Sequence, residues 1–318
     1  MKLLMFGRGT IATFYGWALT RAGHEVEFYV RPGRVADYGS AIDVDIRDDR
    51  RPRGKRAVRE RWSVTMREDL PNSDHDYDAI VVSVNQDQLP AVVAALAPHV
   101  GDVSVLMFSN VWDEPTEVVA ALPAEQIVWG FPGAAGGFFG SSLRGGILES
   151  MYLGQIDGTS DPERYATIRD LFVRAGFRVK EPADFRRWLW FHYIMDAALI
   201  TGIVTAGGYD ALVGDASALR DSFVLLKEMI GVLEARGGIS PTRAALIRRA
   251  PAGPAARLLQ PMLRGKTYGD LMRLVMKSAH GSAESSRLYA RDVLATARRL
   301  QLPVPRLAAA EGVFAAGA

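Results

Sequence analysis

Two glycines and an alanine near the N-terminus have the spacing of a phosphate-binding loop. The pattern is G-x-G-x-x-A, formed by Gly7, Arg8, Gly9, Thr10, Ile11 and Ala12. In such a loop the first glycine permits a tight turn, the second lets backbone amides approach a pyrophosphate, and the small third residue lets helix and strand pack closely. The N-terminus of the following helix adds free N–H groups and a positive dipole end. The pattern therefore predicts a dinucleotide-binding site.

The residues on either side of this loop provide the context that the pattern requires. Residues 2–6 form an apolar run that ends at the loop, residues 13–22 have helical spacing, and residues 26–30 form a second apolar run. A strand, a glycine-rich turn, a helix and a second strand in that order make the pattern specific, because alone it is weak. The alternative is a glycine-rich turn that binds nothing.

Basic residues follow the second predicted strand at the position where an NAD site needs an acid. Val30 is followed by Arg31, and Arg34 comes three residues later, whereas Glu25 and Glu27 precede the end of the strand. A carboxylate there would bind the ribose hydroxyls of NAD, while planar guanidinium groups suit a 2′-phosphate. We therefore predict NADP (NADPH) as the cofactor. The alternative for Arg31 is a surface charge on a loop.

A histidine and an aspartate in the second half of the chain could carry proton chemistry. His192 and Asp196 are four residues apart in the long apolar stretch 185–203, so they share one face of the predicted helix. Histidine changes its charge near neutral pH and is the commonest general acid or base. Asp196 would orient the imidazole or stabilise its charge. The alternative is a structural pair on an aromatic helix.

The elements that must position these residues fall into two groups. Strand-like and helix-like runs alternate in the first half, which predicts a doubly wound, mostly parallel sheet with helices on both faces. Ser160 or Asp161, followed by Pro162, predicts a helix N-cap and first turn, and helical spacing dominates after it. We predict an α/β Rossmann domain over residues 1–159 and an all-α domain over residues 160–318. Within the first domain, residues 41–66 predict a solvent-facing antiparallel insertion.

Composition excludes several classes of protein. The chain has 318 residues and no cysteine, so disulfides and thiolate chemistry are excluded, and no histidine–carboxylate spacing indicates a metal site. The 38 Lys and Arg residues nearly balance 36 Asp and Glu residues, so neither nucleic acid nor membrane is expected as a partner. No targeting segment and no apolar span of about 20 residues is visible. We expect a soluble, cytoplasmic protein.

The chain resembles the ketopantoate reductase (2-dehydropantoate 2-reductase) family. The likeness rests on the opening run 2–9, on residues 23–26 with Arg31, on the run 108–111, and on the ending 302–305. It implies a Rossmann domain and a helical domain with a cleft between them, in which NADPH reduces an α-keto acid to an α-hydroxy acid. It also implies that Asn110 contacts the nicotinamide and the substrate. We further expect a small-molecule substrate and a homodimer.

Several positions depart from the pattern of that family. The catalytic lysine of the long helix corresponds to His192 and its asparagine to Asp196; a register shifted by two residues would place Trp190 and Ile194 there. A second lysine corresponds to a serine in the run 82–86, where Gln86 matches and Val84 is predicted to contact the cofactor. The family's C-terminal glutamate falls near Ser282, Glu284 and Ser285.

These departures define the expected function and its alternatives. The resemblance implies a divergent NADPH-dependent reductase of a small carbonyl compound, with His192 as the proton donor, Asp196 as its partner and Asn110 as a polar anchor. An acidic residue beside the donor would also suit a cationic imine, so an imine reductase on the same fold is one alternative. The missing lysines suggest another, which is a non-catalytic NADP-binding sensor or interaction protein.

Overall fold

The computed structural model of the chain describes residues 1–278 and 283–314, with residues 283–286 described by their backbone alone. Within these residues the chain divides into two compact units, Met1–Phe185 and Arg186–Ala318. The first unit is an α/β unit and the second is helical, so the predicted fold class is confirmed.

The first unit contains two sheets and the helices that connect their strands. Its strands are β1 (Lys2–Phe6), β2 (Glu25–Tyr29), β3 (Ala41–Asp48), β4 (Ala57–Ser63), β5 (Thr65–Arg67), β6 (Ala79–Val82), β7 (Ser104–Met107), β8 (Ile127–Phe131), β9 (Ala134–Phe139), β10 (Ser142–Ile147), β11 (Ser150–Gly154) and β12 (Arg178–Lys180). Its helices are α1 (Thr10–Arg21), α2 (Arg34–Tyr38), α3 (Leu89–Leu96), α4 (Pro115–Val118) and α5 (Pro162–Arg174).

The larger sheet has the strand order β12-β11-β8-β7-β6-β1-β2-β5. Strands β5, β2, β1, β6, β7 and β8 are parallel, and β11 runs antiparallel to β8. Strands β6 and β7 are buried at every residue, because a sheet covered on both faces needs apolar side chains on both sides. The chain passes from β1 to β2 on one side and continues with β6 on the other. Open α/β sheets bind ligands beyond the carboxyl ends of the strands at such a reversal.

The smaller sheet has the order β4-β3-β10-β9 and contains the predicted insertion. Strands β3 and β4 pair antiparallel, as expected. One face of β3 is buried, however, because Ile42, Val44 and Ile46 join the core beside Trp17 of α1. The opposite face carries exposed charge pairs such as Asp45–Arg59. The insertion is therefore a second layer packed on α1 and not a hairpin surrounded by solvent.

The first unit continues beyond the predicted boundary at residue 159. After Asp161, whose side chain caps α5 as predicted, α5 packs on β7 and β8, and β12 pairs with β11. Arg50, in the turn between β3 and β4, forms a buried ion pair with Asp48 and donates to the carbonyl of Ala175 at 2.8 Å. These contacts attach residues 162–180 to the N-terminal sheets. The compact unit accordingly ends at Phe185.

The second unit consists of helices. They are α6 (Phe185–Thr205), which begins at the last residue of the first unit, α7 (Tyr209–Gly214), α8 (Ala216–Ala235), α9 (Pro241–Arg249), α10 (Ala252–Arg264), α11 (Tyr268–Lys277), α12 (Ala283–Arg299), α13 (Pro305–Ala309) and α14 (Glu311–Phe314). One core cluster joins α6, α7, α8 and α10 through Ile203, Leu212, Leu219 and Leu263. Among the described residues, α6 is the one helix whose length and composition would allow it to cross a membrane, a test that a core helix also passes.

Candidate functional site

The predicted phosphate-binding loop connects the carboxyl end of β1 to the N-terminus of α1. Gly7 has a φ of +95°, a conformation that favours glycine, and its amide donates to the carbonyl of Tyr29 at 2.9 Å. Gly9 is the N-cap residue of α1, and its carbonyl accepts hydrogen bonds from the amide and the hydroxyl of Thr13. The loop therefore has the tight turn and the exposed helix start that the fingerprint requires.

Gly9 leaves space that the protein itself does not use. Its backbone is extended, and a Cβ built there would meet only the Ser83 carbonyl oxygen at 3.8 Å, an ordinary contact. Neither φ nor packing within the chain therefore requires glycine at this position. Free N–H groups of the first helical turn face such a space. A pyrophosphate fits this arrangement, because a larger side chain would fill the place that it needs.

The remaining loop residues either pack in the core or, in the case of Arg8, carry a positive charge. Thr10 and Ala12 are buried, and half-buried Ile11 packs against the core. Arg8 points away from this packing: its guanidinium lies 4.5 Å from the ring centroid of Tyr38 and 4.8 Å from that of Phe138.

The basic residues beyond β2 differ in their surroundings. Arg31 is exposed, and no hydrogen bond or ion pair of its side chain is found within residues 1–278 and 283–314. Arg34 is held by Asp37 at 2.9 Å and by the hydroxyl of Tyr38 at 3.4 Å, with its guanidinium 5.0 Å from the ring centroid of Tyr38. Arg31 is thus available to an anionic ligand, while Arg34 already has a carboxylate partner.

An acid lies near the end of β2, contrary to the analysis of that strand alone. β5 pairs with β2 and aligns Arg67 with Tyr29, so Glu68 follows β5 beside the end of β2. The Glu68 carboxylate accepts from the amide of Val35 at 2.8 Å. Hydrogen bonds from the amides of Val35, Gly33 and Arg34 hold the pKa of Glu68 below its usual range. Sequence reasoning missed Glu68 because it considered only residues adjacent in the chain.

The loops after β6 and β7 are joined to each other on the other side of β1. The Ser109 hydroxyl donates to the Val84 carbonyl at 3.0 Å, and the Trp112 amide donates to Gln86 Oε1 at 3.1 Å. These bonds fix both ends of the segment that contains Asn110, which is half-buried. The structure therefore brings Val84, Gln86 and Asn110 together, with Gln86 in a positioning role toward the loop that contains Asn110.

The predicted acid–base pair lies on α6. His192 Nε2 is 3.5 Å from Asp196 Oδ2, and about a quarter of each side chain is exposed, at 26% and 27%. The Trp188 ring stacks on the imidazole at a centroid distance of 5.3 Å and an angle of 10°. Tyr193 faces elsewhere, since its hydroxyl donates to Asp292 at 2.7 Å. Burial raises the pKa of Tyr268 to about 12, with a smaller contribution from the charge of Asp196.

Some predicted candidates lie outside the part of the chain that the structure describes. Ser282 lies outside the described residues, as do the side chains of Glu284 and Ser285. Within the described part of the chain, no group of three or more His, Asp or Glu side chains is arranged to hold a metal ion.

Comparison with a family model decides which family the chain resembles. Residues 3–132 match the model of ketopantoate reductase PanE/ApbA. The resemblance to the ketopantoate reductase family is confirmed. The matched segment extends from β1 to the residue after β8, so it contains the phosphate-binding loop, the end of β2 and the loop with Asn110. No curated protein matches the chain.

Solved structures share the fold along the whole chain. The PanE/ApbA family ketopantoate reductase from Ralstonia eutropha JMP134 is 18% identical with a TM-score of 0.70, covering 99% of this chain and 97% of that one. The 2-dehydropantoate 2-reductase from Geobacter metallireducens GS-15 is 16% identical with a TM-score of 0.72 and covers 99% of both chains. D-mandelate dehydrogenase, solved with NADH, is 14% identical with a TM-score of 0.65, covering 99% and 97%. At these identities the likeness shows the fold alone.

Proposed function

We propose that the protein is an NADPH-dependent oxidoreductase that reduces a small carbonyl compound resembling a 2-keto acid. The observation that carries the proposal is the loop Gly7–Gly9, which opens α1 at the point where the strand order reverses and leaves unused space at Gly9. The match of residues 3–132 to the ketopantoate reductase model supports the reaction class. The likeness to D-mandelate dehydrogenase, solved with NADH, supports a nicotinamide dinucleotide as the cofactor.

The residues of the first unit would hold the cofactor. The amides at the start of α1 bind the pyrophosphate, because they carry free N–H groups and the positive end of the helix dipole. Arg31 takes the 2′-phosphate through charge-assisted hydrogen bonds, with Arg34 beside it. Val84, Gln86 and Asn110 contact the nicotinamide end. When bound, the reduced nicotinamide supplies the hydride.

His192 would supply the proton that completes the reduction. As hydride adds to the carbonyl carbon, the carbonyl oxygen gains negative charge and takes a proton from the imidazolium, which yields a hydroxyl group. His192 Nε2 faces Asp196 Oδ2 at 3.5 Å, so the carboxylate lies beside the charged imidazolium that donates the proton. Asp196 orients the ring and stabilises its charged form, and the stacked Trp188 fixes the plane of the ring.

The carboxylate of Asp196 also favours a second substrate class. A cationic C=N group would be attracted to a negative charge 3.5 Å from the proton donor, whereas a substrate carboxylate would be repelled. An imine reductase on the same fold is therefore the second candidate.

A homodimer and a cytoplasmic location stay predictions, and light scattering during size-exclusion chromatography tests the homodimer.

Turnover tests the proposal directly. The purified protein is incubated with NADPH and a panel of 2-keto acids, other ketones and cyclic imines, and the loss of NADPH absorbance is followed. Reduction of a 2-keto acid supports the proposal, while reduction of imines alone favours the second candidate. Tight NADPH binding without turnover of any compound would instead indicate a sensor. Absence of binding to both NADPH and NADH would contradict the assignment of the cofactor.

A further inference from the structure

The guanidinium of Arg8 lies over two aromatic rings. Its Cζ is 4.5 Å from the ring centroid of Tyr38, the last residue of α2, and 4.8 Å from that of Phe138 on β9. We call these three residues the Arg8 clamp. Aromatic rings cover the faces of a planar guanidinium and leave its N–H groups to donate in the plane. The clamp therefore holds the guanidinium of Arg8 beside Tyr38 and Phe138.

In the described part of the chain, no carboxylate balances the charge of Arg8. Burial lowers the pKa of Arg8, and its Nε is buried without a hydrogen-bond partner. Within residues 1–278 and 283–314, no carboxylate forms an ion pair with it. The same Tyr38 ring also contacts the guanidinium of Arg34 at 5.0 Å, so two positive groups share one ring. A half-buried cation without a partner is costly, and an anionic ligand would remove that cost.

Two observations indicate which anion Arg8 binds. Arg8 reaches Tyr38 in the segment after β2, so its side chain lies on the β2 side of the loop, where the adenosine ribose is expected. Glu68 already accepts the amide of Val35, and its pKa is held down by that amide and those of Gly33 and Arg34. A 2′-phosphate cannot use donors that a carboxylate occupies. It must rely on side chains instead.

We propose that Arg8 contacts the 2′-phosphate of NADP and is a second determinant of specificity, independent of Arg31. The inference rests on the proposed function, because it assumes that the loop binds a nicotinamide dinucleotide. It extends that function by assigning the phosphate contact to a residue of the glycine loop itself. The proposal assigns two guanidinium groups, those of Arg8 and Arg31, to one phosphate, with the clamp holding Arg8 in place before binding.

Calorimetric titration with NADPH, NADH, 2′,5′-ADP and 5′-AMP tests this assignment. Arg8→Met keeps an apolar side chain of similar length against the rings and removes the charge. The expected result is a loss of NADPH and 2′,5′-ADP affinity of roughly 10- to 100-fold with little change for NADH and 5′-AMP. Arg59→Met, on the exposed face of the smaller sheet, is the matched control and should bind all four ligands as the wild type does. The double variant with Arg31→Ala should lose more NADPH affinity than either single variant.

Other outcomes overturn the assignment. Equal losses for NADPH and NADH would place Arg8 on the pyrophosphate, and unchanged affinity for all four ligands would remove it from the site. If Arg8→Met fails to fold, Arg8→Lys keeps the charge without the planar fork and should lose NADPH affinity several-fold; unchanged affinity then overturns the proposal. A wild-type protein that binds none of the ligands overturns the proposed function itself, which distinguishes the two failures.

Discussion

His192 and Asp196 show at the scale of single residues how spacing along a helix brings reactive groups together. Four residues separate them in the chain, and 3.5 Å separates their facing atoms in the structure. The geometry suits an acid–base pair, and it equally suits a structural pair on a partly buried helix. The two roles differ in what a substitution changes, because a structural pair contributes stability and a proton donor contributes rate.

His192→Ala is expected to lower turnover by about 10²- to 10⁴-fold with little change in NADPH affinity, because the residue lies outside the phosphate-binding loop. Asp196→Asn keeps the shape of the side chain and removes its charge, so it should lower the rate more than the melting temperature. Turnover and thermal melting are measured on the same samples. Near-normal turnover together with a large drop in melting temperature would establish the structural role instead.

Glu68 makes stability depend on pH in a definite direction. Three backbone amides hold its pKa below the ordinary value of 4.5, so the ionised carboxylate is favoured in the folded state. A depressed folded-state pKa gives stability that is present above the unfolded pKa and is lost as pH falls through the folded pKa. Melting temperatures of wild type and Glu68→Gln should therefore differ at pH 7 and converge as the pH falls below 4.5. A constant difference at every pH would contradict this account.

At the scale of elements, the unit β1–α1–β2 could be predicted because its signals are local. Three signals lie next to one another in the sequence: a short apolar run, a glycine pattern and a helical stripe of Phe14, Trp17 and Leu19. The side chains of Phe14, Trp17 and Leu19 are buried. The ion-pair partners and the neighbour of β2 could not be predicted in the same way. Glu68 reaches the end of β2 only through pairing with β5, and nothing in the local sequence indicates that pairing.

Strands β9 and β10 escaped prediction because glycines replace the apolar alternation. The glycine-rich run 131–140 has no strand pattern in the sequence, yet Ala134–Phe139 is a strand. Gly136 and Gly145 face each other across the pair, and a Cβ on Gly136 would lie 2.7 Å from the Gly145 Cα. Both have a positive φ, at +150° and +145°. Close approach of two backbones explains these glycines, and it is a property of the paired strands alone.

The buried ion pair of Asp48 with Arg50, at the end of β3, should be sensitive to loss of charge. Only 3% of the Asp48 side chain and 9% of the Arg50 side chain are exposed, and Arg50 also lies 4.5 Å from the Phe177 ring centroid. Asp48→Asn leaves a buried cation unpaired and is expected to destabilise the protein by about 3–5 kcal/mol. Asp43→Asn, which breaks an exposed pair with Arg61, should cost at most about 1 kcal/mol. Denaturant unfolding gives the free energy of unfolding of both variants. An equal decrease in the two would contradict a special role for the buried pair.

At the scale of the whole molecule, the fold and the function rest on different observations. Solved ketopantoate reductases share the fold over 99% of this chain, although the family model ends at residue 132. Sequence likeness is therefore concentrated in the unit with the phosphate-binding loop. The helical unit keeps the architecture and carries His192 and Asp196 on α6. A fold does not determine its substrate, so the substrate must come from the chemistry of these residues.

Binding of NADPH to the wild type and to Gly9→Val tests whether the glycine loop holds the dinucleotide. Valine suits the extended backbone at Gly9, and a Cβ there meets nothing closer than 3.8 Å. The variant should therefore fold, losing at most about 1 kcal/mol at the N-cap. Gly214→Val, also at a glycine with open space and no positive φ, is the control. We expect NADPH to bind to the wild type and to Gly214→Val. We expect no binding to Gly9→Val, because the valine side chain fills the place of the pyrophosphate. Equal titration of NADPH into Gly9→Val and the wild type would contradict this expectation.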